Sequence, residues 1–188
     1  MSYYDDNAGA LFHRYLDVKS KEIHRCWSEK LPAQPGLACD IGAGSGRDAV
    51  WLASLGWDVV AVEPSLELRT RGEQYTLEQQ RASGSVSWIA DALPELKRLR
   101  ALDQRFQLIL LSAVWMHLSP AQHERAMRIV SELLTPGGIV VISLRHGPDQ
   151  AGRFHRVSAD KLIQHAHNRA LIKQHDVRGV PDLTRQEI

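Results

Sequence analysis

Gly36-Leu37-Ala38-Cys39-Asp40-Ile41-Gly42-Ala43-Gly44-Ser45-Gly46-Arg47-Asp48 runs straight into Ala49-Val50-Trp51-Leu52-Ala53-Ser54-Leu55. An apolar run, three alternate glycines and an amphipathic run read as strand, turn and helix. Glycine allows a tight turn and leaves no Cβ between the backbone and a ligand. The helix that follows turns unpaired N–H groups and a partial positive charge toward that ligand. A dinucleotide turn has the spacing G-x-G-x-x-G. Here the glycines alternate and Asp40 stands two residues before the first, which disfavours a nicotinamide dehydrogenase.

Upstream, Leu11, Phe12, Tyr15, Leu16, Ile23, Cys26 and Trp27 recur at helical spacing. They predict one helix from about Ala8 to Trp27, with Asn7 as N-cap and Leu31 to Gly36 as its end. Tyr3 and Tyr4 ahead of it are open to two readings, surface residues or part of a lid. Downstream, Arg47 to Leu55 is the first helix of the core and Gly56 its C′ residue. Trp57 to Val62 is the second strand and ends in Glu63-Pro64. A carboxylate at that distance past a glycine turn sits where a ribose binds in this architecture; as an alternative it is an acid at the start of a helix capped by Ser65. Ser65 to about Arg81 reads as a helix, Ser85 to Ala90 as a third strand ending at Asp91-Ala92, and Pro94 to Leu102 as a short helix.

Phe106 to Leu111 is an almost continuous apolar run, expected of a strand buried on both faces. It opens into Ser112-Ala113-Val114-Trp115-Met116-His117, at the end of the sheet where open α/β folds bind ligands. Ser119, Pro120 and Gln122 form a helix start with a capping box. Thr135-Pro136-Gly137-Gly138 stops that helix, and Ile139 to Leu144 is the fifth strand, leading to Arg145-His146. Ser158 to Ala170 reads as a helix and Ala170 to His175 as a sixth strand. A seventh strand is not visible.

Five features stand in a recognisable order: Asp40 to Gly46, Glu63, Asp91-Ala92, Leu110 to His117, and Pro136-Gly137-Gly138. Together they resemble the class I S-adenosylmethionine-dependent methyltransferases. Gly46-Arg47-Asp48-Ala49 and Gly56 to Glu63 look like the small tellurite-resistance and thiopurine-type members and the type 11/12 domains. The resemblance implies a doubly wound, Rossmann-like, mostly parallel sheet with helices on both faces. It also implies S-adenosylmethionine as cofactor and S-adenosylhomocysteine as product. Cofactor contacts are then expected at Asp40, Gly42, Ala43, Gly44, Gly46, Asp48, Glu63, Pro64, Asp91, Ala92, Ser112 and Ala113. The family usually closes with an antiparallel seventh strand; its absence leads to the expectation of one domain over residues 1–188, cut from a longer protein. Residues 1–35 form the N-terminal helix and lid, 36–178 the core and 179–188 a tail.

His117 and His146 follow the fourth and fifth strands on the ligand side and are the candidate general bases. His117 also reads as a histidine flanking a helix. Tyr3, Tyr4, Trp115 and Arg145 are candidates for the acceptor side, with a core tryptophan and a surface ion pair as the alternatives for the last two. Histidines are frequent in the tail, but no i, i+4 pair appears there and no metal site is expected.

The 188 residues carry a net charge of +1, with no global pull toward nucleic acid. No apolar run reaches membrane-spanning length, and the first residues lack the pattern of a signal peptide. Two cysteines without C-x-x-C spacing suggest a reducing, cytoplasmic compartment. A small-molecule acceptor is the leading expectation. RNA or protein as acceptor, and a cofactor-binding module without turnover, are the competing readings.

Overall fold

A computed structural model describes residues 3–79, 83–145 and 152–177. Five strands form one parallel sheet in the order β3-β2-β1-β4-β5. They are β1 (Leu37–Ile41), β2 (Asp58–Val62), β3 (Val86–Ile89), β4 (Phe106–Ser112) and β5 (Leu134–Ser143). The order reverses between β1 and β4, which pair through Ala38–Leu108 to Asp40–Leu110. That reversal opens a crevice at the carboxyl ends of the two central strands, where open α/β sheets bind ligands.

Alternation along the strands builds both layers of the core. Cys39, Ile41, Val60, Val62, Ile109 and Leu111 face one side. There they meet α6 (Lys97–Arg100), α7 (Pro120–Leu133) and α8 (Ala159–His167) through Leu99, Met127, Val130 and Leu162. Ala38, Val59, Ala61, Leu108 and Leu110 face the other and pack on Ala49, Leu52 and Ala53 of α4 (Arg47–Ser54). Burying one such Leu, Ile or Val stabilises the fold by about 1.5–3 kcal/mol. By the same alternation Asp40 lies on the α4 side, a carboxyl on an otherwise apolar surface.

The N-terminal helix is not continuous. The segment is divided into α1 (Tyr3–Asp6), α2 (Ala8–Leu16) and α3 (Ser20–Ile23), with a 3₁₀ turn at Ser28–Lys30. The cause is tertiary: the Arg47 guanidinium donates to the Tyr15 carbonyl at 2.8 Å, one of the last carbonyls of α2. Ser20, at the start of α3, donates to Asp48 at 2.7 Å. The chain therefore bends around Arg47-Asp48. Asn7 does stand at the N-cap position of α2, but its side chain makes no cap hydrogen bond; its amide donates back to the Tyr3 carbonyl. Ala8 and Leu11 seat these helices on Leu68 of α5 (Leu66–Glu78).

Further differences from the sequence reading have local causes. The helix expected over Pro94 to Leu102 is confined to α6, because Leu96 takes a left-handed φ of 45° immediately before it. Thr135 to Gly138 does not separate α7 from the strand. β5 begins at Leu134, paired with Phe106, and Ile139 pairs with Leu108, so four residues bulge opposite Gln107. The sixth strand is absent among the described residues. Ala170 ends the α8 region at φ 58°, and residues 171–177 carry no strand. Among the described residues no helix is long and apolar enough to cross a membrane.

Gly46 and Gly137 separate backbone strain from packing. Both are left-handed, at φ 77° and 76°. A Cβ on Gly46 would lie 2.8 Å from the Trp88 ring and 2.9 Å from the Thr76 methyl, whereas one on Gly137 meets nothing within 4 Å. Gly137→Ala is expected to cost about 1–2 kcal/mol from the left-handed backbone alone. Gly46→Ala adds overpacking of about 1–3 kcal/mol. Urea unfolding of the two variants checks the difference, and equal losses would contradict it.

Candidate active site

The glycine turn hangs from the end of β2. Gly42 and Ala43 both donate their N–H groups to the Val62 carbonyl, at 2.8 and 3.0 Å. Glu63 then holds the turn from the side: one carboxylate oxygen accepts the Gly44 N–H and the other the Ser65 N–H, each at 2.9 Å. Burial raises the Glu63 pKa, opposed by those two hydrogen bonds and by Arg69. The helix-start reading of Glu63 has support, because Ser65 does cap α5, accepting the Leu68 N–H at 3.2 Å. A carboxylate has lone pairs beyond the two already used, so Glu63 can still take a ribose hydroxyl.

Asp40 is 1% exposed, and its Oδ2 has no hydrogen-bond partner among the described residues. Burial, then the nearby Asp48 charge, raises its pKa well above the carboxylate range, with Arg47 opposing. An uncompensated buried carboxyl beside a glycine turn is a site for a cationic group. S-adenosylmethionine carries an ammonium, a ribose diol and a planar base. Asp40, the turn and Glu63 fit the first two.

Asp48, expected at the cofactor, lines the cleft, but its carboxylate is hydrogen-bonded to the N-terminal segment and to Arg47. It accepts from Ser20 Oγ at 2.7 Å and from Arg47 Nε and Nη2 at 2.9 Å each. His24 Nε2 lies 3.1 Å from its other oxygen. The His24 ring stacks on Trp51 with centroids 5.0 Å apart. Burial would raise the Asp48 pKa, but hydrogen bonds from His24 and Arg47 and their charges outweigh it and hold the group below the usual carboxylate range. Asp48 thus anchors the N-terminal segment. Asp91 is similarly diverted: its carboxylate accepts the N–H groups of Ala92, Arg98 and Leu99 at 2.9, 2.7 and 3.0 Å. Turn closure and capping of α6 are its observed tasks.

One cleft brings together Asp40, Gly42, Ala43, Gly44, Asp48, Glu63, Pro64, Asp91, Ala92, Ser112 and Ala113 with Tyr4, His117 and Arg145. Gly46 is not among its lining residues and serves packing against Trp88 and Thr76. Ala113 takes a left-handed φ of 55°, held by a hydrogen bond from its N–H to Ser143 Oγ at 2.9 Å. Also in the cleft, Tyr4 Oη and His117 Nε2 are 3.1 Å apart. The His117 ring meets Phe154 edge to face at 4.9 Å. Arg145 lies 5.7 Å from the Phe154 ring. Tyr3 is exposed and stacks under the Arg153 guanidinium at 4.0 Å rather than lining the cleft. Trp115 is fully buried in the core and so is no acceptor wall. His146 lies outside the described residues.

Among the cleft residues that the sequence reading did not name as site residues are Tyr15 and Phe154. Tyr15 lies against the glycine turn, 3.4 Å from where a Gly44 Cβ would stand. Its helical spacing marked it only as an apolar position. Phe154 belongs to a segment without periodicity and gave no signal. Among the described residues no group of three His, Cys, Asp or Glu side chains gathers into a metal site.

Asp40 and Asp48 should affect stability in opposite directions. The depressed Asp48 pKa gives stability that is present above the unfolded value near pH 4 and lost as pH falls through the folded value. Asp48→Asn should therefore destabilise at pH 7, by about 3 kcal/mol for a buried partner removed, and the deficit should shrink on acidification below about pH 4. The raised Asp40 pKa works the other way: its favourable contribution exists below about pH 4 and is lost as pH rises through the folded value. Asp40→Asn should stabilise at pH 7, the gain opening upward from about pH 4. Urea midpoints across pH check both signs.

Residues 11–177 match the family described as "Methyltransferase domain". No curated protein matches the sequence. Several solved structures share the fold. The glycopeptide N-methyltransferase MtfA, complexed with S-adenosylmethionine, is 23% identical with a TM-score of 0.51, over 65% of this chain and 53% of its own. The magnesium protoporphyrin IX methyltransferase ChlM from Synechocystis PCC 6803, with bound S-adenosylmethionine, is 15% identical with a TM-score of 0.62, over 90% and 74%. TehB from Haemophilus influenzae is 19% identical with a TM-score of 0.54, over 72% and 46%. The chain thus spans about half the length of MtfA and of TehB. With the family matched over nearly all of its described length, and the glycine turn and acids standing where the fold binds a nucleotide, the chain belongs to the methyltransferase domain family.

Proposed function

We propose that this protein transfers a methyl group from S-adenosylmethionine to a small-molecule acceptor, releasing S-adenosylhomocysteine. When bound, the cofactor supplies an electrophilic methyl on a sulfonium, and the protein supplies binding and orientation. The observation that carries the reading is a single cleft lined by Asp40, the glycine turn and Glu63 together with the Tyr4–His117 pair.

Asp40 receives the cofactor's ammonium, which supplies the compensating charge its burial demands. Glu63 receives the ribose hydroxyls while keeping Gly44 and Ser65. The Ala92 N–H, already held by its own Asp91 side chain, lies on the adenine side. Tyr15 covers the turn and excludes water. His117 is the general base for a hydroxyl or amine acceptor, since imidazole titrates near neutral pH. A small acceptor suits a cleft partly closed by α1 and the residue 152–157 segment, where the His155 N–H is pinned to the Met116 carbonyl at 2.8 Å.

Calorimetric titration with S-adenosylmethionine, S-adenosylhomocysteine and NAD tests the cofactor. Saturable binding of both sulfur nucleotides and none of NAD is expected. Glu63→Ala should weaken both by 10-fold or more, on the order of 1.4 kcal/mol or above for a lost charge-assisted hydrogen bond. Binding of NAD alone, or of none by folded protein, would overturn the reading.

A further inference from the structure

The 3.1 Å contact between Tyr4 Oη and His117 Nε2 puts a phenol on the nitrogen that a directly acting base would turn to its substrate. Tyr4 belongs to α1 and His117 to the 3₁₀ turn Trp115–His117, 113 residues later. Their rings meet nearly perpendicular at 5.5 Å, and Phe154 meets the imidazole edge to face at 4.9 Å. The imidazole is thus flanked by aromatic rings from two separate segments.

We propose that Tyr4 and His117 act as a two-member proton relay in which the Tyr4 oxygen, not the imidazole, faces the acceptor. The proposal rests on the methyltransferase reading of the same cleft. A phenol is the better donor of the pair and a neutral imidazole nitrogen the better acceptor. The Tyr4 O–H therefore donates to Nε2, and the His117 ring proton resides on Nδ1. With that pairing the Nε2 lone pair is reached only through the phenol. As the acceptor reacts, its O–H or N–H proton passes to Tyr4 Oη, and the Tyr4 proton passes to Nε2. The acceptor's freed electron pair bonds to the methyl carbon as the carbon–sulfur bond breaks, its electrons staying on the sulfur of departing S-adenosylhomocysteine; the His117 ring becomes imidazolium and later returns the extra proton to solvent.

Three observations support the direction of this relay. Burial, with Tyr15, Glu63 and Tyr3 adding to it and Arg153 opposing, holds the Tyr4 pKa far above the phenol range, so Tyr4 keeps its proton until Nε2 takes it. Glu63 and Tyr15, which hold and cover the glycine turn, act electrostatically on the same Tyr4 hydroxyl that contacts His117, and all four residues line one cleft. The α1 segment that carries Tyr4 is pinned independently: Ser65 Oγ donates to Asp5 Oδ1 at 2.6 Å. Ser65 also gives its N–H to Glu63, so the relay's lid and the proposed ribose carboxylate share one residue.

The test needs no identified acceptor. Nitrogen NMR of protein labelled at histidine with ¹⁵N, with S-adenosylhomocysteine added, reads the tautomer directly; His117→Gln assigns the signals. At about pH 8, above the ordinary imidazole range, wild type should show His117 with the proton on Nδ1 and an accepting Nε2. Tyr4→Phe keeps the ring contacts and removes the donor. Its His117 signals should move toward the Nε2–H tautomer, with S-adenosylhomocysteine affinity within 2-fold of wild type. A wild-type His117 already in the Nε2–H form, or nitrogen shifts unmoved in Tyr4→Phe, would overturn the relay. Should Tyr4→Phe not fold, the wild-type tautomer alone decides. Failure of wild type to bind S-adenosylhomocysteine would instead overturn the cofactor reading, while the tautomer remains readable.

Discussion

The Glu63 carboxylate is the point on which the site depends. Its two oxygens hold the N–H of Gly44 in the β1–α4 turn and the N–H of Ser65 at the start of α5. Two loops from neighbouring strands are thereby fixed to each other by charge-assisted hydrogen bonds in a buried place, where such bonds are strong. The parallel pairing of β1 with β2 brings the loops together, and Glu63 sets their spacing. Ser65 passes the constraint on to Asp5, and through Asp5 to the segment that covers the cleft.

A second constraint works from the opposite end of α2. Arg47 and Asp48 open α4, yet they reach outward to Tyr15, Ser20 and His24. They tie the N-terminal segment to the helix whose first turn carries the glycine loop. Removing Asp48 leaves the partly buried Arg47 guanidinium without its counter-charge and takes the carboxylate away from Ser20 and His24. Asp40, eight residues earlier, has the reverse character: a carboxyl held in an apolar layer against its own solvation. A fold retains such a group at a cost in stability, and the natural place for it is a ligand site.

Five strands and the glycine turn between the first strand and the first core helix were legible in the sequence. Apolar runs such as Phe106 to Leu111 and glycines at alternate positions reflect constraints that act within a few residues. Asp48 and Asp91 line the cleft, yet their carboxylates are taken up by other donors, for a common reason. Each carboxylate sits beside a turn that also needs an acceptor for backbone or side-chain donors, and which partner wins is decided by geometry. The divided N-terminal helix, the late start of α6 and the missing sixth strand are tertiary outcomes. Tyr15 on Gly44 and Phe154 on His117 join segments far apart in the chain, and no local pattern announces them.

Hydrogen exchange with and without S-adenosylhomocysteine tests the central claim most directly, because it reads the loops themselves. The account predicts that the nucleotide slows exchange at Gly42 to Gly46, at Glu63 and Ser65, and at Tyr3 to Asp6, the segment joined to Glu63 through Ser65 and Asp5. Protection confined to other parts of the surface, or none under saturating nucleotide, would contradict it.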